Sequence, residues 1–117
     1  MGFIAEVLWQ IKLGDYKSAA NLLETHLGDP DLKTSSKVGL MEWTADCYSK
    51  CEETEVAAKW FEMAGKAAID CQGFSADEKR RKAAQYFERA LECHKVCNNI
   101  QGIKRIAALK YSVTAKF

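Results

Sequence analysis

No stretch of this chain shows the strict polar/apolar alternation of a half-buried strand, and none of its apolar runs approaches the roughly 20 residues that a membrane-spanning helix requires. Sheet and membrane span are therefore not expected. Also missing is an N-terminal basic segment followed by an apolar stretch and a small-residue cleavage site, so the chain reads as unexported. Met1-Gly2 could open a myristoylation signal, but Glu6 stands where that signal wants Ser or Thr, and Ala115-Lys116-Phe117 matches no lipidation or peroxisomal address. No G-x-x-x-x-G-K-[ST] phosphate loop, G-x-S-x-G elbow or H-E-x-x-H zinc helix occurs, so neither catalysis nor a bound cofactor is expected. Proline is nearly absent. The single one, Pro30, sits in Gly28-Asp29-Pro30-Asp31 and marks the end of a helix.

What is present fits one domain: 117 residues, 48% of them apolar, support one continuous core and not two. A formal charge of +1 hides an uneven distribution. Residues 1–60 carry 6 Lys and no Arg against 10 acids, whereas residues 61–117 carry 11 Lys and Arg against 6 acids. The halves attract each other, and the excess is far below the basic footprint of a nucleic-acid binder. Five cysteines, an odd number, fall within helical patterns and not in the loop-rich framework of a disulfide-stapled secreted domain, which points to a reducing, cytoplasmic setting.

The apolar periodicity predicts six helices. Phe3, Ile4, Val7, Leu8 and Ile11 outline the first, ending near Leu13, where Gly14 breaks it and Asp15 offers the next N-cap. The second spans about Tyr16 to Leu27 and stops at Gly28, which can take a left-handed cap. Thr34, Ser35 or Ser36 caps a third helix running to about Cys51, and Glu52-Glu53-Thr54 turns the chain into a fourth that reaches Asp70 or Cys71. Ser75 with Glu78 forms a capping-box pattern for the fifth, which carries Ala83, Tyr86, Phe87, Ala90, Leu91 and His94. Asn98-Asn99 turns it into a sixth, from about Ile100 to Ala115. Such short connections make antiparallel hairpins of neighbouring helices.

Gly14-Asp15-Tyr16 followed by Ala19, Leu23 and His26 resembles the turn and second helix of a tetratricopeptide repeat, and Ala45 and Tyr48 followed by Ala57, Phe61 and Ala64 match its small/aromatic pattern. Glu52-Glu53-Thr54 replaces the family's turn in the second unit, and the unit spacings of about 38 and 46 residues exceed the usual 34 or so. The resemblance is to a divergent array spanning residues 1–117: all-α, right-handed, three antiparallel hairpins, a protein-binding adaptor or assembly scaffold with no enzymatic activity. It implies that the first helix of each pair lines a concave groove. That layer would present Ile4, Leu8 and Ile11, then Glu42, Asp46 and Ser49, then Glu88, Glu92 and Lys95, an apolar strip turning acidic. Chaperone-tail clamps of the family use Lys, Arg and Asn in such places, so that activity is disfavoured. Paired carboxylates one turn apart suit a Lys- or Arg-bearing partner segment, while a plain solvated acidic face is the simpler reading.

The first helix is apolar around most of its circumference, since Phe3, Ile4, Val7, Leu8, Trp9, Ile11 and Leu13 cannot all face one neighbour. A second copy of the chain, an external partner or a preceding repeat of a longer array would cover it, with Trp9 in the interface; helix six, carrying Lys104, Arg105, Lys110 and Lys116, looks like an end cap. Trp43, Trp60 and Phe61 read as core seals between two helices of one hairpin. Lys79-Arg80-Arg81-Lys82 reads as a solvated face, or as a contact for an acidic partner.

Cys47/Cys51 and Cys93/Cys97 each place two thiols one turn apart, and a soft metal such as Zn²⁺ or Cu(I) held by all four is the alternative reading to a scaffold. Buried packing is the more common fate of a free cysteine. His94 and Cys93, adjacent in sequence, point roughly 100° apart on a helix, so they form no nucleophile–base pair.

Overall fold

A computed structural model of the chain describes residues 2–115. They form six helices: α1 (Phe3–Lys12), α2 (Tyr16–Leu27), α3 (Thr34–Lys50), α4 (Thr54–Asp70), α5 (Ala76–Val96) and α6 (Ile100–Ala115), with no strand among the described residues. Lys116, placed by the sequence on the basic side of the last helix, lies outside them, as do Met1 and Phe117.

Local chemistry accounts for the starts of α2 and α5. Gly14 takes φ +80°, a left-handed turn that favours glycine, and the Asp15 carboxylate accepts from the Ser18 N–H at 3.0 Å and the Ser18 hydroxyl at 2.7 Å. These bonds hold the Asp15 carboxyl below its ordinary value. Ser75 and Glu78 close the expected capping box at the start of α5. Two expectations need correcting. Gly28 is right-handed, at φ −74°, because the chain continues in a tight coil: the Asp29 N–H donates to His26 O and the Asp29 carboxylate accepts from the Asp31 N–H. The N-cap of α3 is Lys33, with no side-chain cap bond, so Thr34, Ser35 and Ser36 fall inside the first turn. At the α3–α4 turn, where glycine is absent, Glu52 itself takes φ 64° and the Glu53 N–H reaches back to Tyr48 O at 2.9 Å.

Every substantial helix–helix contact joins neighbours in chain order. Alternate helices are tied as well. Tyr86 on α5 donates to Glu42 on α3 at 2.9 Å, Arg105 on α6 donates to Glu62 on α4 at 2.9 Å, and Lys17 on α2 lies 3.4 Å from Glu53 at the head of α4. The chain therefore zigzags between two layers, odd helices in one and even helices in the other. A body of 44 × 34 × 19 Å agrees, since its thinnest dimension is about two helix diameters.

The core runs along the middle of this slab. Ala57, Ala58, Phe61, Ala64 and Ala68 of α4 are fully buried and meet Ala83, Phe87 and Ala90 of α5, also fully buried. Small residues bring the two backbones close enough for one large ring to fill each gap: a Cβ at Gly65 would lie 2.5 Å from Cε1 of Phe87.

Candidate functional site

Helix α1 has one principal neighbour, α2, and cannot hide its whole apolar circumference. Val7 is fully buried, and Phe3 and Ile11 pack half-buried against the core. On the other side Ile4, Leu8, Trp9 and Leu13 stay exposed, at 54%, 53%, 53% and 60%. Positions 4 and 8 thus share the open face with Trp9, whereas Ile11, which the family resemblance implied beside them, turns inward because it follows the stripe of Phe3 and Val7.

This exposed face runs into an apolar groove between α1 and α3. A pocket of about 390 Å³ is lined by Phe3, Ile4, Leu32, Leu40 and Trp43, with His26, Ser36 and Gly39 completing its wall. Phe3 stacks on the His26 ring, centroids 3.9 Å apart and planes inclined by 19°, which fixes the floor. Gly39 has nothing within 4 Å of where a side chain would begin, and its missing side chain keeps the groove open. Trp43 lines the groove as a half-buried ring, besides packing on the core as a seal. The stripe Ser36, Gly39, Leu40 and Trp43, at i, i+3, i+4 and i+7, carried that information in the sequence.

The acidic part of the proposed strip is differently arranged. Glu42 accepts the Tyr86 hydroxyl, and Asp46 accepts Arg89 at 2.6 Å, whose guanidinium also lies 4.5 Å above the Phe61 ring. Burial and the carboxylate it bonds push the Tyr86 phenol well above its ordinary value, so it remains a donor. Glu88 does not join them: it bonds Lys110 of α6, and that hydrogen bond holds its carboxyl below the usual value. Glu92 is exposed and borders, with Ser49, Arg89 and Cys93, a separate pocket of about 250 Å³. Three of the four carboxylates therefore hold partners within the chain and bind helices to one another, and a cationic segment would have to displace those partners.

The thiols are all free: Cys47, Cys71 and Cys93 are buried, Cys51 is half-buried and Cys97 is exposed. Among the described residues no three His, Cys, Asp or Glu side chains gather into a metal-holding group, so Cys47, Cys51, Cys93 and Cys97 do not converge as the metal reading requires. Burial pushes the Cys47 thiol up to about 11 and raises Cys93 as well, which keeps both protonated and unreactive near neutrality. His94 lies in the α5–α6 interface at 2% exposure, its ring against Gly102. The pairing of that ring with a glycine eight positions on was not visible beforehand, because nothing local links them.

No helix among the described residues is long and apolar enough to cross a membrane. Comparison with protein-family models, curated proteins and solved structures finds no match to this chain, so the functional reading rests on its own residues and geometry.

Proposed function

We propose that this chain is a protein-binding module, a tetratricopeptide-like stack of helical hairpins that takes hold of a partner through the open face of α1 and the groove beside α3. The observation that carries this reading is the contiguous exposure of Ile4, Leu8 and Trp9 next to an apolar pocket, on a helix whose opposite side is anchored by Val7. Large apolar residues gathered in one place are a costly surface to leave in water, and burying each fully contributes about 1.5–3 kcal/mol. Trp is also the side chain that most often anchors an interface. The acidic residues play a supporting part: Glu42 and Asp46 tie α3, one wall of the groove, to α5 on its other side.

The test is the pair Leu8→Glu and Trp9→Glu in the full chain. Both side chains are more than half exposed, so unfolding free energy is expected to change by less than about 0.5 kcal/mol. Capture of partners from the native source is expected to fall at least tenfold, or, where light scattering shows the parent to self-associate, the variants are expected to be monomeric. Unchanged partners and an unchanged particle mass would remove the proposal.

A further inference from the structure

His94 stands on the last full turn of α5 and is buried against Gly102 of α6. Its ring occupies the space that a side chain at Gly102 would need: a Cβ there would lie 2.5 Å from Nδ1 and 2.6 Å from Cε1. Asn99, in the turn before α6, holds both elements. Its Oδ1 accepts the Gly102 N–H at 3.0 Å, which leaves its amide nitrogen 3.3 Å from His94 Nδ1. With the amide so oriented, Nδ1 is an acceptor and the imidazole proton sits on Nε2, which is buried without a hydrogen-bond partner. A second proton would make Nδ1 a donor facing a donor. Flipping the Asn99 amide would relieve that clash only by turning its NH₂ onto the Gly102 N–H, so either the Asn99–His94 bond or the Asn99–Gly102 cap bond is lost.

The charges around the ring do not offset this. Arg105 of α6 opposes a positive imidazole, while Glu55 and Glu62 of α4 favour it; Glu62 is already occupied by Arg105 and by Lys66, each at 2.9 Å. Burial first and Arg105 second hold the imidazole below its ordinary value of 6.5. Helix α6 has only α5 as a substantial helix neighbour, seated by Ile106 and Val113, with Lys110 on Glu88 and Arg105 on Glu62 as polar ties.

We propose that α6 is an acid-released latch, in which protonation of His94 breaks the Asn99–His94–Gly102 contact and undocks α6 from α5. The direction follows from linkage. A site that takes its proton less readily when docked than when released contributes stability that is complete above pH 6.5 and is lost as the pH falls toward the docked-state value. The loss is at most about tenfold in the docking equilibrium per pH unit. Glu62 and Glu88, both held below their ordinary value of 4.5, weaken their own ties to α6 in a separate and more acid window.

Amide hydrogen exchange on the full chain, corrected for intrinsic rates and followed from about pH 7.5 to 5.5, tests the latch. Protection across α6 is expected to fall below pH 6.5 by up to about tenfold per unit while α2, α3 and α4 hold theirs. In His94→Gln, or in His94→Met should the first variant fail to fold, the slope in α6 is expected to vanish. A pH-independent α6 in the parent, or the same slope in either non-titrating variant, would overturn the proposal.

Discussion

Replacing Phe87 with alanine is expected to remove about 3–5 kcal/mol of stability, and adding a methyl group at Gly65 to remove about 1–3 kcal/mol, with the two losses failing to add. Phe87 is fully buried, and its ring lies where a Gly65 side chain would begin: Cε1, Cδ1 and Cζ at 2.5, 2.8 and 2.9 Å from that position. Gly65→Ala gains up to about 1 kcal/mol of helix propensity, so a net loss measures the crowding directly. The double variant Gly65→Ala/Phe87→Ala relieves the crowding and should be less damaged than the sum of its single changes. Urea unfolding of the four proteins, parent included, supplies the cycle. For a domain with a total stability of about 5–15 kcal/mol, Phe87→Ala alone brings the chain near the limit of folding.

Gly102→Val is the second large expected effect, about 2–3 kcal/mol, and it should be confined to one end of the molecule. The His94 ring contacts the glycine through Nδ1, Cε1 and Cγ, and being buried it has no free space to retreat into. Overpacking there pushes α6 off α5 before it disturbs α2, α3 or α4. The loss of ellipticity should therefore correspond to the 16 residues of α6, and trypsin should gain cleavage after Lys104, Arg105 and Lys110 first. Gly39→Val is the control, because nothing lies within 4 Å of its missing side chain. It should keep most of the stability while filling the groove wall. A global loss from Gly102→Val equal to that of the Phe87 variant would show α6 to be part of the central core and not a separately docked helix.

The helices were largely legible because their signals are local. Asp15 and the Ser75–Glu78 box act within one turn of their own helices, and the alanines of α4 recur at the spacing that buries one side of a helix. The left-handed cap expected at Gly28 does not form because the chain after α2 coils on through Asp29, and the hydroxyl cap expected at Thr34, Ser35 or Ser36 does not form because α3 takes its N-cap one residue earlier, at Lys33. The outer face of α1 was legible for a simpler reason: a helix with a single large neighbour exposes whatever the core does not take. The acidic strip was not. Glu42, Asp46 and Glu88 found Tyr86, Arg89 and Lys110 across helix boundaries, and partners separated by 44, 43 and 22 residues leave no trace in spacing. Gly65 with Phe87 and Gly102 with His94 belong to the same class, contacts whose existence depends on how closely two backbones approach.

Site-specific photo-cross-linking in the native source tests the binding surface most directly, with a photoreactive residue at Leu8 on the open face of α1 and, as a comparison, at Ser112 on the exposed side of α6. If the α1 face and its groove hold the partner, Leu8 yields a discrete adduct, a second copy or one other protein, that is suppressed by Trp9→Glu, and Ser112 yields none. Equal adducts at both positions, or an adduct at Leu8 indifferent to Trp9→Glu, would contradict it.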